Sequence, residues 1–192
     1  MQRSGSPPGP SDPVPVIETP RLRLRGHRAD DHAALLAIWS DPVVVRYIGG
    51  HGSTSQEAWL RLLRYLGLWC ALGYGYWAIE EKSSGRFIGD IGYADFKRDI
   101  IPSLDGMPEM GWVLAADRHG NGYASEALAA VMAWGRTQLG GRTPVCIIDP
   151  QNSASIGVAI KAGFTLREQT MYMGDPVLLF ACLPPGSPAQ AI

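Results

Sequence analysis

The residues best suited to chemistry form a glycine-rich turn that leads directly into an apolar-periodic helix. Residues 118–128 read RHGNGYASEAL. Gly120 and Gly122 remove side chains where the backbone must turn tightly or approach a ligand. Such a turn exposes backbone N–H groups at the positive end of a helix dipole, which favours an anion such as a phosphate. By itself, the pattern fits an ordinary strand-to-helix loop equally well.

A second candidate segment begins at Asn152, and residues 152–164 read NSASIGVAIKAGF. Asn152 falls at the N-cap of a short helix, where its side chain accepts from a free backbone amide. Ser155 follows at the third helical position, and Ile156, Ala159 and Ile160 are predicted to form the buried face. A second helix N-terminus soon after the glycine turn predicts one site for a phosphate-containing ligand.

Composition limits the class of protein. The 192 residues are enough for one domain, and 46% hydrophobic with 18% charged residues is typical of a soluble globular chain. A net charge of −1 argues against nucleic acid as the main partner. No apolar run reaches the roughly 20 residues that span a membrane, and the N-terminus lacks the apolar core of a secretory signal. The three cysteines lack metal-ligand spacing, so we expect no metal and a reducing, cytoplasmic location.

The elements that must position these segments form a single-domain mixed α/β fold. We predict a mostly antiparallel, twisted sheet flanked by helices, in the order β-α-α-β-β-β-α-β-α-β-β. The domain covers residues 19–184, between Pro/Ser/Gly-rich tails at 1–18 and 185–192. Hydrophobic periodicity and turn residues place the elements as follows: strands at 21–25, 74–81, 86–93, 109–114, 145–148, 165–173 and 177–182, and helices after Asp30, Ser53, Gly122 and Asn152.

The sequence also predicts structural roles for several side chains. The second helix is expected to turn one apolar face to the core, formed by Trp59, Leu62, Leu63, Leu66 and Trp69. The alternating arginines of the first strand are predicted to be solvated, and so are three histidines: Arg21, Arg23, Arg25, His27, His32 and His51.

The element order, the glycine turn and the Asn-x-x-Ser…Lys-x-Gly-Phe segment together resemble the GNAT superfamily of N-acetyltransferases. The resemblance is greatest to the branch typified by ribosomal-protein N-terminal acetyltransferases. It covers residues 18–183, and the segment EMGWVL at 109–114 adds to it.

This resemblance implies acetyl-CoA as a co-substrate. The pyrophosphate loop of the family falls on His119, Gly120, Asn121, Gly122, Tyr123 and Ala124. His119 departs from the usual Gln or Arg, but backbone amides hold the phosphates in the family, so we expect binding to survive. The backbone that pairs with the pantetheine arm and the thioester carbonyl is implied to be that of Trp112, Val113 and Leu114. Asn152 is implied as a hydrogen-bonding partner near the thiol, with Ser155 as a second one.

The resemblance leaves the proton donor open. Many members carry a Tyr seven residues after the Asn, where it protonates the leaving thiolate, whereas this chain has Ala159. Tyr172 is our candidate, and Tyr93, Ser155 or a water are alternatives.

For the general base we select Glu109, which begins the strand beside the acetyl group and would act through water. Asp90 and Asp149 are weaker alternatives. An α-amine, with a pKa of about 8, needs less help than a lysine at about 10.4.

The predicted function is transfer of an acetyl group from acetyl-CoA to a primary amine, directly in a ternary complex. The acceptor is a protein N-terminal α-amine or a small-molecule amine, and the protein is a monomer or homodimer. The alternative is a non-catalytic module that senses acyl-CoA.

Overall fold

The computed structural model describes residues 14–183, which form a sheet of eight strands with helices on both faces. The strands are β1 Ile17–Glu18, β2 Leu22–Arg25, β3 Tyr76–Glu81, β4 Phe87–Ala94, β5 Glu109–Leu114, β6 Val145–Ile148, β7 Thr165–Tyr172 and β8 Asp175–Ala181. The helices are α1 His32–Trp39, α2 Pro42–Val45, α3 Ser55–Leu72, α4 Tyr123–Gln138 and α5 Ser153–Lys161. The predicted mixed α/β fold is confirmed.

The strand order is β1-β2-β3-β4-β5-β6-β8-β7. Within the described range, β5 and β6 pair in parallel, and the other neighbours pair antiparallel. The glycine turn and α4 form the crossover between these parallel strands, which is the connection that a parallel pair requires. The same range contains no helix with the length and apolar character needed to cross a membrane.

Two short elements were not predicted, β1 and α2. The predicted N-terminal tail ended at residue 18, but Ile17–Glu18 pairs with β2, and the indole of Trp77 donates to the carbonyl of Pro15 at 2.7 Å. A proline-rich composition gave no indication of this docking, because a distant residue provides the contact. The rest of that tail, residues 1–13, and the predicted tail at 185–192 lie outside the described residues.

The beginning and end of α3 follow from local chemistry. Thr54 and Glu57 form a capping box, and Gly73 ends the helix at a φ of 73°. The predicted apolar face was partly wrong, because Trp59, Leu63 and Leu66 are exposed. The buried row is instead Ala58, Leu62, Tyr65, Leu68 and Trp69. Both sets have a spacing of three and four residues and each lies on one side of the helix, but the side that packs is rotated from the predicted one toward Ala58 and Tyr65.

The sheet separates two hydrophobic cores. Met110 and Leu114 of β5 pack on the face covered by α4 and α5, and Val113 packs on the face covered by α1 and α3. Gly111 and Glu109 share that second face, because successive residues of a strand alternate. β5 therefore contributes to both cores.

Two polar side chains that we expected to be solvated are buried on the α1 and α3 face. Arg25 pairs with Asp31 at 2.8 Å and with Glu80 at 2.9 Å, and its own exposed fraction is 6%. His27 Nε2 lies 2.6 Å from Asp90 Oδ1. The prediction was wrong because carboxylates on other elements pair with Arg25 and with His27 Nε2, and such partners cannot be read from local spacing.

Candidate active site

The central feature of the site is a gap between β5 and β6. Their register within the described residues contains the single pair Glu109–Val145. On its other side, β5 stays paired with β4 as far as Leu114. The two parallel strands therefore separate beyond Glu109, and one edge of β5 is left open toward β6.

The backbone groups that face this gap can be assigned from the register. The N–H of Ala115 donates to the carbonyl of Ile88 at 2.9 Å. Hydrogen-bonded residues alternate along an antiparallel pair, so Val113 also directs its N–H and C=O toward β4. The groups of Trp112 and Leu114 point the other way, into the gap. Of the three residues expected to pair with the pantetheine arm, two therefore direct backbone groups into the gap.

His119 connects the glycine turn to the end of β5. Its Nε2 lies 2.9 Å from the carbonyl oxygen of Leu114, so this nitrogen carries a hydrogen and donates it. The Leu114 carbonyl is thereby occupied, while the N–H of Leu114 stays directed into the gap. The side chain that departs from the family pattern thus holds the loop in place.

The glycine turn has the geometry of an anion site. Gly120 and Gly122 adopt φ values of 75° and 76°, which residues with side chains rarely adopt. The first helical bond of α4 runs from the N–H of Glu126 to the carbonyl of Gly122. The amides of Tyr123, Ala124 and Ser125 precede it and have no backbone acceptor in the described part of the chain. Such amides at a helix N-terminus bind phosphates.

Glu81, at the end of β3, anchors one side of this loop. It accepts from the Tyr123 hydroxyl at 2.7 Å and from Arg118 at 3.2 Å, as well as from the Ser84 hydroxyl. The hydrogen bonds from Ser84 and Tyr123, followed by that from Arg118, lower the pKa of Glu81 to about 2. Glu81 is therefore ionised at neutral pH and holds both ends of the loop.

Arg21 anchors the other side. Its Nε pairs with Glu126 at 2.6 Å and its Nη1 donates to the carbonyl of Asn121 at 2.9 Å. The guanidinium also lies over the Tyr123 ring, with Cζ 4.4 Å from the centroid. Arg21 is exposed, as predicted, and it also neutralises a carboxylate beside the proposed phosphate site.

Asn152 caps α5 as predicted, because its Oδ1 accepts from the N–H of Ser155 at 3.0 Å. Its own N–H donates to the carbonyl of Asp149, directly after β6. The side-chain amide nitrogen of Asn152 has no hydrogen-bond partner among residues 14–183, so it can donate to a ligand. Asp149 shapes the turn by accepting from the N–H of Gln151.

The face of α5 differs in part from the prediction. Ala159 is fully buried, but Ile160 is 59% exposed and Ile156 is half-buried. Ala159 also accepts the N–H of Phe164 through its carbonyl at 3.0 Å. The helix has nine residues, and Ala159 is the buried one among them. The core therefore covers only a narrow strip of the helix surface.

Of the three side chains predicted to be catalytic, Glu109, Tyr172 and Asn152, the first two lie against the same arginine. Arg98 donates from Nε and Nη2 to the two carboxylate oxygens of Glu109, at 2.6 and 2.7 Å. The guanidinium Cζ lies 4.7 Å from the centroid of the Tyr172 ring. Glu109 is 5% exposed, so it is a buried, paired carboxylate. A water that takes part in proton transfer must use a carboxylate lone pair that Arg98 leaves free.

Two of the alternative catalytic groups, Tyr93 and Asp90, are engaged in the cores. The Tyr93 hydroxyl lies on the face of the sheet opposite to Glu109, where it donates to the carbonyl of Val131 at 3.3 Å. Asp90 is fully buried and accepts from His27 and from the indole of Trp39. Both groups are occupied by contacts that stabilise the core.

Two side chains that meet β5 were not predicted: Arg98 pairs with Glu109, and the Tyr76 hydroxyl lies against Gly111. Arg98 belongs to an irregular loop without periodicity. The sequence did contain a signal for Tyr76. Gly111 lies inside β5, and a glycine inside a strand often marks the close approach of another group. Among the described residues, no group of three or more His, Cys, Asp or Glu side chains is arranged to hold a metal ion.

Comparison with known proteins identifies the family. The model of the GNAT acetyltransferase domain matches residues 21–165, which is more than half of the chain. The chain therefore belongs to the GNAT acetyltransferase family, as the sequence resemblance indicated. The uncharacterised N-acetyltransferase YoaA of Bacillus subtilis (strain 168) is 28% identical over 84% of this chain and 92% of the relative.

Solved structures give the same result. A GNAT-family acetyltransferase from Bordetella pertussis superposes with a TM-score of 0.76 at 27% identity, over 87% of this chain and 98% of that one. RimL, a ribosomal L7/L12 alpha-N-protein acetyltransferase solved with coenzyme A, has a TM-score of 0.71 at 19% identity, over 90% of this chain and 100% of that one. At that identity the likeness to RimL shows the fold alone.

Proposed function

We propose that this acetyltransferase moves an acetyl group from acetyl-CoA to a primary amine, directly and in a ternary complex. The observation that carries the proposal is the position of the β5–β6 gap. Backbone groups of Trp112 and Leu114 face it, and β5 continues to the free amides at the start of α4. An elongated ligand with a phosphate end and an amide-containing arm fits this sequence of donors.

The residues present fit the chemical groups of acetyl-CoA. The amides of residues 123–125 would hold the pyrophosphate, and the gap-facing groups of β5 would pair with the pantetheine arm. Asn152 would donate its free side-chain amide near the thiol, and Ser155 follows it on the same turn. When bound, acetyl-CoA supplies the acetyl group as a thioester.

The chain's own groups would assist the transfer at two points. A β5 backbone N–H directed into the gap, such as that of Leu114, would donate to the carbonyl oxygen as negative charge develops on it. Water next to Glu109 would carry away the proton that the amine loses. Arg98 would fix the carboxylate in place for this role.

The acceptor is proposed to be a peptide α-amine or a small-molecule amine. RimL acts on the α-amine of a ribosomal protein, but it shares only the fold with this chain, so both classes belong in the test. We propose a cytoplasmic location, because the three cysteines at 70, 146 and 182 are free thiols, which suits a reducing compartment. A monomer or homodimer is proposed for the assembly.

The test combines binding with release of free CoA thiol. Calorimetry should detect binding of acetyl-CoA, and N-terminal peptides, lysine peptides, polyamines and aminoglycosides should then be supplied as amines. We expect thiol release with one of these classes. The double variant Gly122→Glu/Asn152→Ala should lose binding, because it places a carboxylate at the phosphate site and removes the free amide.

The outcomes are distinct. No binding of acetyl-CoA, or unchanged binding in the double variant, would contradict the proposed site. Binding without thiol release over the whole panel would favour the acyl-CoA sensor instead, a possibility that Ala159 raises by lacking the usual tyrosine hydroxyl.

A further inference from the structure

Tyr76 of β3 is a buried residue whose hydroxyl has no hydrogen-bond partner in the described part of the chain. The residue is 5% exposed, and its ring stacks on Tyr65 with centroids 4.4 Å apart and planes within 4°. Within residues 14–183 its hydroxyl has no hydrogen-bond partner, yet it is not among the fully buried atoms that lack one. The oxygen therefore keeps some access to solvent, although the rest of the side chain is buried. The hydroxyl is thus available to water or to a bound ligand.

The hydroxyl lies against Gly111 of β5, the residue before the gap-facing Trp112. A Cβ added to Gly111 would lie 2.1 Å from the Tyr76 oxygen, so the glycine leaves the space that the hydroxyl fills. Gly111 directly precedes Trp112, whose backbone groups face the gap. It also follows Glu109 by two residues, on the same face of the strand.

The surroundings keep this hydroxyl protonated. Burial raises the pKa of Tyr76 well above its ordinary value of 10.0, and the neighbouring Tyr65 and Glu109 act in the same direction. Arg98 and Arg64 oppose the shift without cancelling it. At neutral pH the group is a neutral O–H that can donate.

We propose that the Tyr76 hydroxyl is the catalytic proton donor to the leaving sulfur. This inference rests on the proposed acetyl transfer. The C–N bond forms and the C–S bond breaks, and the phenolic proton passes to sulfur. Water returns the proton that the amine loses to the phenolate oxygen, so the net change moves one proton from nitrogen to sulfur. Tyr76 on β3 would thus donate the proton that Ala159 on α5, which has no hydroxyl, cannot donate.

The other tyrosines are less suited to this role. Tyr93 donates to Val131 on the far side of the sheet. Tyr172 lies beneath the guanidinium of Arg98 at the end of β7, with its ring half-buried. Tyr76 differs from both because its oxygen lies against the backbone of β5.

The test compares Tyr76→Phe with Tyr93→Phe, a matched change in a buried tyrosine on the opposite face. Tyr76→Phe should lower kcat by about a hundredfold, within the range of general acid catalysis, with the Kd for acetyl-CoA nearly unchanged. Its Tm should stay the same or rise, because no hydrogen bond is lost. Tyr93→Phe should lower Tm and leave kcat nearly unchanged.

A change in the acidity of the hydroxyl separates proton donation from a purely structural role. Replacing Tyr76 with 3-fluorotyrosine makes the hydroxyl more acidic with little change in shape. Because the hydroxyl stays protonated at neutral pH, a more acidic one should donate its proton faster and raise kcat. An active wild type with unchanged kcat in Tyr76→Phe, or an unchanged kcat with 3-fluorotyrosine, would overturn the inference. A wild type that releases no thiol with any amine would instead contradict the proposed function on which it rests.

Discussion

The hydroxyl of Tyr76 on β3 occupies the position where the side chain of residue 111 on β5 would begin. The distance from the Tyr76 oxygen to a Cβ built on Gly111 is 2.1 Å, whereas the next atom of the tyrosine, Cζ, is 3.3 Å away. Gly111 is therefore required by one oxygen atom of another strand. Its own backbone conformation does not demand glycine, since its φ is not positive.

This relationship predicts that removing the Tyr76 oxygen will restore the stability of a variant with a larger side chain at position 111. Gly111→Ala should destabilise the protein by about 1–3 kcal/mol, the usual cost of overpacking a core. In the double variant Gly111→Ala/Tyr76→Phe, most of that loss should disappear, because the clashing atom is gone. Denaturant unfolding of the four proteins in the cycle measures this coupling. Additive effects would show that the two residues do not compete for the same space.

The Arg98–Glu109 pair gives a second prediction. Glu109→Gln should lower the free energy of unfolding by about 3 kcal/mol, since it leaves a mostly buried guanidinium without its counter-ion. The lower end of the usual range applies because Arg98 is 21% exposed. The double variant Arg98→Met/Glu109→Met should regain most of the stability. If Glu109 relays the proton, that double variant should stay inactive in the thiol-release assay.

Glu168→Gln is the control for this comparison, because Glu168 is exposed on β7. It should change neither stability nor thiol release. Recovered activity in the double methionine variant would mean that Glu109 is structural only.

The left-handed glycine at the start of α4 gives a third prediction. Gly122→Ala places a Cβ on a residue with a φ of 76°, which costs about 1–2 kcal/mol and favours a different loop conformation. We expect the Kd for acetyl-CoA to rise about tenfold, the equivalent of about 1.4 kcal/mol. Calorimetric titration measures the change.

Gly67→Ala is the matched control, since Gly67 lies within α3, has no positive φ and has no atom within 4 Å of an added Cβ. It should raise stability by about 1 kcal/mol and leave the Kd unchanged. An equal loss of affinity in both variants would argue against a specific role for the turn.

Glu81 gives a prediction about pH. Its pKa falls from an ordinary value of 4.5 to about 2 in the folded protein, so the carboxylate contributes stability above pH 4.5. That contribution is lost as the pH falls from about 4.5 to about 2, because the unfolded state takes up the proton over this range while the folded state stays ionised until about pH 2. The stability difference between the wild type and Glu81→Gln should therefore shrink over this window. Urea unfolding at a series of pH values measures it, and a constant difference would contradict the assignment.

Much of the local structure could be read from the sequence. Gly73, Gly85, Gly122 and Gly163 take positive φ values at predicted ends and turns, and Asn152 caps its helix as expected. These features depend on contacts between residues close in the chain. The glycine turn and the α5 segment also indicated the family, which the comparison confirmed.

Only the tertiary structure decided which polar groups are buried and which are free. His27 and Arg25 have partners on other elements, and Glu109 is paired with an arginine from an irregular loop. The unpaired hydroxyl of Tyr76 became visible only when β3 and β5 were placed together.

The physical reason is the range of the interactions. Capping, turn formation and helical periodicity act over a few residues, so the local sequence determined them. Desolvation and pairing depend on the whole environment of a group, which here combines strands and loops far apart in the chain. The sequence thus determined the family and the glycine turn, and the folded arrangement identified Tyr76 and Arg98 as side chains that meet β5 at Gly111 and Glu109.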